Sequence, residues 1–174
     1  MLHELLVEEI KSATASVFDT MLGLPVRAGA ASSCAVEVGP ADGVAALVGM
    51  AGHYTGAGSV VCSGELACKL AGAMLLSEFT EVCPDVLDAI GEIANMVIGN
   101  IKTNIEERFG PIGLSTPAVI HGRNFSTRTT GHHTWTVVPF ECAGEQFLVQ
   151  MMLVDSSRNT PVLHGPRPHE LAGV

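Results

Sequence analysis

The stretch from Pro84 to Gly110 constrains this chain more than any other. Leu87, Ile90, Ala94, Val97, Ile98, Ile101 and Ile105 recur in it, mostly at steps of three and four, and trace one side of a helix. Pro84 suits the first helical position, where its missing N–H is no loss, and Asp85 suits the positive end of the helix dipole. Gly110 can take a left-handed cap, and Pro111 cannot continue the helix. The spacing therefore predicts the longest helix of the chain, with an apolar side that other elements have to cover.

A second helix is predicted from about Leu2 to Leu22, with Leu2, Leu6, Ile10, Ala13, Val17 and Met21 on its apolar face and Gly23 and Pro25 ending it. Three strand-like runs follow, about Ser33 to Val38, Val44 to Met50 and Ser59 to Cys62, punctuated by Gly39-Pro40, Asp42-Gly43 and Thr55-Gly56. A shorter helix from Gly64 to about Leu76 has Ser63 as N-cap and Glu65 in its first turn. After the longest helix come strands at Pro117 to Ile120, Thr134 to Glu141 and Phe147 to Val154, the last two joined by a turn at Ala143-Gly144. Each half thus runs long helix, then three strands. The fold class expected is α+β, with two long helices packed on an antiparallel or mixed sheet in pseudo-two-fold αβββ halves. Residues 1–155 are read as a single domain and residues 156–174, rich in Pro, His and Gly, as a loose tail.

Composition excludes several classes. Hydrophobic residues make up 47% of the 174 and charged ones 16%, the reverse of a disordered chain. The net charge of −9 argues against a nucleic-acid binder, which needs a basic surface. No apolar run is long enough to span a membrane, so the mean hydropathy of +0.36 is to be absorbed in the core or at a subunit interface. The N-terminus turns acidic at Glu4 and lacks the basic region of a secretory signal. Five cysteines, Cys34, Cys62, Cys68, Cys83 and Cys142, contain no C-x-x-C pair and read as scattered reduced thiols. A cytoplasmic location is the expectation.

Chemistry is sought on the polar side of the longest helix. Asp88, Glu92, Asn95 and Gly99 follow at steps of four, three and four, and Lys102 or Thr103 and then Glu106 extend the row. A solvated helix face would also explain such a row. Glu92 and Asn95, however, form the only E-x-x-N among thirteen glutamates, and Gly91 and Gly99 make their face shallow. A glycine inside a helix costs about 1 kcal/mol against alanine, so two of them ask for a reason such as close approach of another surface.

The segment from Asp88 through Glu92 and Asn95 to Met96, together with Pro117, resembles the active-site helix of CheX-type chemotaxis phosphatases in the CheC/CheX/FliY group. Their motif is Asp or Ser, three residues, Glu, two residues, Asn, then about twenty-two residues and Pro; here 21 residues separate Asn95 from Pro117. The difference points to a one-residue deletion in the loop around Gly110 to Gly113. Pro117 to Arg123 and the Gly-rich hairpin from Gly49 to Cys62 share in the resemblance, which spans roughly Leu5 to Val154.

The resemblance implies hydrolysis of the aspartyl phosphate of a CheY-like response regulator. Asn95 would orient the attacking water, Glu92 would pair with the regulator's lysine, and Asp88, Gly91, Gly99 and Pro117 would shape the docking surface. No cofactor of its own is expected, because the Mg²⁺ sits on the regulator. One motif, with Lys11 and Ser12 where the first helix would need an amide, favours the CheX type, which forms homodimers. Two alternatives stand beside this reading: a non-catalytic adaptor that only docks a regulator, and a plain dimerisation domain. Docking of so acidic a chain could run through Lys102 and Arg108 or through apolar contacts.

Other residues carry less. His121, His132 and His133 could suggest a metal, but adjacent histidines on a strand point to opposite faces. Cys62 and Cys68 lie in apolar surroundings and read as inert packing. Ser63-Gly64 lacks a nucleophile-elbow pattern, and Gly49 to Gly64 lacks the Lys-Ser or Lys-Thr of a phosphate loop. Trp135 and its threonine-rich surroundings read as sheet.

Overall fold

The computed structural model describes residues 2–34, 42–123, 125 and 133–158. Its helices are α1 (Leu2–Val17), α2 (Gly64–Leu75) and α3 (Pro84–Phe109). Its strands are β1 (Arg27–Ala28), β2 (Ser32–Cys34), β3 (Asp42–Gly52), β4 (Tyr54–Cys62), β5 (Ile112–Leu114), β6 (Ala118–Arg123), β7 (Trp135–Cys142) and β8 (Glu145–Asp155). A short 3₁₀ turn, Ser156–Arg158, follows β8, and the rest of the expected tail lies outside the described residues.

The strands form one sheet, antiparallel in every described pairing rather than mixed. Its order is β1–β7–β8–β4–β3–β5, with β2 sharing the β1 edge and β6 sharing the β5 edge. Each half therefore has four strands, not three, because its edge is broken into two short pieces. The halves meet at the central pair β4–β8, where Gly58 stands opposite Met151. Each half also lends its edge to the other: β1 and β2 pair with β7, while β5 and β6 pair with β3. The helices repeat the exchange, with α1 on β7 and β8 and α3 on β3 and β4.

Both long helices lie on one face of the sheet and bury a common core between them. Val44, Ala46 and Val48 of β3, Val60 of β4 and Val149 and Met151 of β8 alternate toward that face, as a two-residue period demands. α3 is buried over more than the predicted stripe, adding Val86, Ala89, Gly91 and Ile93, because α1 and α2 flank it and the sheet lies beneath. Its ends fall where Pro84 and Gly110 place them, but Gly110, at φ +75° and ψ −179°, is extended at positive φ and not in the expected left-handed cap. Ser63 caps α2 by accepting a hydrogen bond from the Leu66 N–H at 3.0 Å. The Ala143-Gly144 turn has both residues at positive φ, the type I′ geometry of a two-residue hairpin.

Two expectations need correction. Thr55-Gly56 is not a turn: β4 runs straight through it, and the chain reverses at His53, between the end of β3 and the start of β4. Gly56 is needed for closeness instead, since an added Cβ would collide with the Met152 carbonyl oxygen on β8. Met21 does not complete the apolar stripe of α1. After Val17 the helix widens into a π-helical turn, Phe18–Leu22, which shifts the register. Phe18 and Leu22 become the buried positions, and Met21 turns outward at 51% exposure.

Candidate active site

α3 carries the candidate residues on the side turned away from the sheet. Asp88 and Glu92 are exposed, and Asn95 and Gly99 are half-buried, so the four form one continuous outward row. Glu92 and Asn95 lie one helical turn apart and project together. None of the side chains of Asp88, Glu92 and Asn95 forms a hydrogen bond or ion pair with the other described residues. Their polar groups therefore face outward, on a helix anchored beneath by Ile90, Ile93, Ala94, Val97 and Ile98.

The two glycines of the row differ in what they meet. Gly91 is buried, and a Cβ there would stand 3.1 Å from Cγ2 of Val119 and 3.7 Å from Cβ of Pro117. It lets α3 settle against the β5–β6 edge, which brings Pro117 beside the Glu92 face. A Cβ at Gly99 would meet only Cδ1 of Leu114, at the ordinary distance of 3.9 Å. Gly99 thus has no packing reason of that kind within the described chain.

Pro117 sits where the edge breaks. The Ser115 N–H donates to the Gly49 carbonyl at 2.9 Å, and the Gly49 N–H donates to the Ser115 hydroxyl at 2.9 Å. This clasp separates β5 from β6, and a proline is tolerated there because no ladder bond is asked of it.

The C-terminal part of α3 is pinned on two sides. Asn104 Nδ2 donates to Glu9 of α1 at 2.8 Å. The Ile112 N–H donates to Glu106 at 2.8 Å, and Lys102 pairs with Glu106 at 2.9 Å. The Ile112 amide first, and then Lys102, hold the Glu106 carboxyl below the usual glutamate range.

Beside Asn95 lies an open groove of about 420 Å³ between the end of α1 and α3. Val17, Thr20 and Met21 line it from the first helix and its π-helical turn, and Leu114 from β5. Asn95, Gly99 and Lys102 line it from α3. Sequence reasoning found Asn95, Gly99 and Lys102, but missed Met21 and Leu114. The only signal for Met21 was its place at the end of an apolar stripe, which pointed inward. Arg108 lies in the last turn of α3 and does not line the groove.

Elsewhere the residues considered for chemistry have structural roles. Burial, then the Glu145 charge, pushes the Cys62 thiol up to about 12, so it holds its proton at neutral pH. The Ser63 hydroxyl donates to Glu145 at 2.6 Å while capping α2, and Lys69 reaches the same carboxylate at 2.6 Å. Together they tie the β7–β8 hairpin to α2. Among the described residues no group of three His, Cys, Asp or Glu side chains could hold a metal ion, and His132 lies outside them. Among the described residues no helix is long and apolar enough to cross a membrane.

An antiparallel sheet with exchanged edges, two long helices on one face and an outward Glu-x-x-Asn row defines an α+β protein of the CheC/CheX-like class. Comparison with known proteins takes this further. The family model for the chemotaxis phosphatase CheX matches residues 44–141, more than half of the chain, and the chain belongs to that family of phosphatases. The CheY-P phosphatase CheX of Thermotoga maritima is 26% identical over 121 residues, 67% of this chain and 77% of that protein. The chemotaxis protein CheX of Desulfovibrio desulfuricans superposes with a TM-score of 0.75 at 28% identity, covering 86% of this chain and 99% of its own. A CheX from Borrelia burgdorferi, solved in complex with CheY, BeF3 and Mg²⁺, shares the fold with a TM-score of 0.72. It is 23% identical and covers 84% of this chain and 96% of its own.

Proposed function

We propose that this chain hydrolyses the aspartyl phosphate of a CheY-like response regulator, with Asn95 holding the attacking water and Glu92 pairing with a lysine of the regulator. The observation that carries the reading is the outward pair itself: an acid and an amide one turn apart, unengaged by other described side chains, on a helix fixed from beneath. An amide can donate to the phosphoryl oxygens and accept from a water at once. Held in line, the water oxygen forms the new bond to phosphorus as the bond to the aspartyl oxygen breaks. The carboxylate leaves, and both of the water's protons end on the released phosphate as dihydrogen phosphate. Such a reaction needs positioning and charge stabilisation more than covalent chemistry.

The charge is supplied from the other side in this reading. The regulator brings its lysine and its Mg²⁺, and this chain brings no cofactor of its own. The complex of Borrelia burgdorferi CheX with CheY, BeF3 and Mg²⁺ supports a partner of that kind. Gly99, with no packing reason of its own, keeps the face low enough for a partner's surface, while Asp88 and the Gly91–Pro117 contact frame it. The working form is a homodimer joined through a sheet edge, and the place of action is the cytoplasm, where five cysteines outside any disulfide stay reduced.

The test is the decay of a phosphorylated receiver domain with Mg²⁺, alone and with the native, Asn95→Ala and Glu92→Ala chains. The native chain should speed decay, and each variant should lose most of that acceleration, on the order of 10²-fold for the water-holding amide. Binding without acceleration by the native chain would replace this reading with that of an adaptor.

A further inference from the structure

The π-helical turn that ends α1 is a fixed feature. Phe18 is fully buried and stacks on Phe147 with ring centres 4.9 Å apart, and Leu22 is buried beside it. The Gly23 N–H donates to the Asp19 carbonyl at 3.2 Å and the Leu24 N–H to the Phe18 carbonyl at 3.1 Å, closing the turn. Met21 is thereby held outward between two anchors. Such turns within helices occur mostly as single inserted bulges, often at functional sites. This one stands across the groove from Asn95.

We propose that the π-helical turn is the specificity wall of the site: Met21 receives an apolar side chain from the phosphorylated partner protein, on the surface flanking its phosphoryl group. The inference rests on Asn95 meeting that group, as argued above. Because Asn95 and Met21 line one groove, a partner whose phosphoryl group reaches the first covers the second. The apolar contact is asked for by Met21 itself, a large apolar side chain left 51% exposed. The groove is mixed: Met96 and Leu114 lie in it with Met21, Thr20, Asn100 and Thr103 line it as well, and its cation, Lys102, is engaged by Glu106. Methionine suits such a wall because its unbranched thioether adapts to differently shaped neighbours. Of the two modes of docking open to so acidic a chain, Met21 thus serves the apolar one.

The test is steady-state kinetics on a phosphorylated receiver with the native, Met21→Ala, Met21→Leu and Asn95→Ala chains. Met21→Ala should raise KM about tenfold, the scale of a central interface contact, with kcat within twofold, and Met21→Leu should restore most of the affinity. Asn95→Ala should instead lose kcat with KM nearly kept. An active native chain whose Met21→Ala form has native KM overturns this inference alone. A native chain that accelerates no receiver overturns the proposed function, and this wall with it. A Met21→Ala change that alters the sedimentation of the chain by itself assigns the wall to contact between copies, and also overturns the inference.

Discussion

Replacing Gly58 by alanine should lift the site helix off its sheet. Gly58 lies at the middle of β4 and faces Ile98 on α3, one turn beyond Asn95. An added Cβ would overlap Cδ1 of Ile98 and stand 3.0 Å from its Cγ1. Carbon atoms pack at roughly 3.5–4.0 Å, so α3 or Ile98 must withdraw by roughly 1–1.5 Å to clear Cδ1. Neither has room, since Ile98 is fully buried. Overpacking of this kind costs about 1–3 kcal/mol, and the gain of about 0.5–1 kcal/mol from replacing a strand glycine offsets part of it. A net loss of roughly 1–2 kcal/mol remains, a fall in Tm of about 2–8 °C for a chain of this size. The assay is a double-mutant cycle by urea denaturation at fixed protein concentration. Ile98→Val alone should cost about 0.5–1.5 kcal/mol, and it removes the overlapping methyl. Gly58→Ala/Ile98→Val should therefore be more stable than the sum of the single losses by at least about 0.5 kcal/mol. Full additivity, or a Gly58→Ala chain as stable as the native one, would refute the packing argument. The phosphatase rate gives a second readout, because a displacement of about 1 Å can cost on the order of 10²-fold in catalysis.

Two further outcomes are expected. Leu76 caps α2 at φ +54° with its side chain 92% exposed, so Leu76→Gly should relieve left-handed strain and raise stability by about 1 kcal/mol; thermal denaturation showing a fall would count against this account of the cap. Glu106 has its carboxyl held low in the folded chain by the Ile112 amide and Lys102, so its stabilisation is complete above the ordinary value of 4.5 and disappears as pH falls through the lowered one. Glu106→Gln should be less stable than the native chain near neutrality, and the two should converge in acid. Urea midpoints that stay equally far apart at both ends of the pH range would contradict that assignment.

The parts of the fold that were legible in the sequence are those set by short-range chemistry. Pro84 and Gly110 bound α3, Ser63 caps α2, and Ala143-Gly144 turns the last hairpin, each through a property of the residue in its own few neighbours. Glu92 and Asn95 were legible as a pair for the same reason, since helical spacing alone puts them on one face. Long-range features were not. β1 and β5 have two and three residues, too few to show a period, and exist because a partner strand is there to bond them. Thr55-Gly56 looked like a turn because a glycine announces small size without saying whether a positive φ or a close neighbour demands it. Met21 was placed inward because the stripe of α1 was extended at helical period through a turn where one wider loop changes the register. The second wall of the groove escaped notice on that account: it is made by a break in regularity, and periodicity is blind to breaks.

The exchanged edges have a consequence for how the molecule comes into being. α3 belongs to the later half of the chain, yet it rests on β3 and β4 from the earlier half, while α1 waits for β7 and β8. A nascent chain that has emerged only as far as α2 lacks the strands on which α1 packs. Much of the native contact map joins distant parts of the sequence, an arrangement that slows folding. Neither half is then an independent apprentice version of the protein, and cutting the chain between α2 and α3 should yield two fragments that regain structure only when mixed. The Glu92–Asn95 face would be assembled late and all at once, so a partly made chain would lack it until its synthesis is complete.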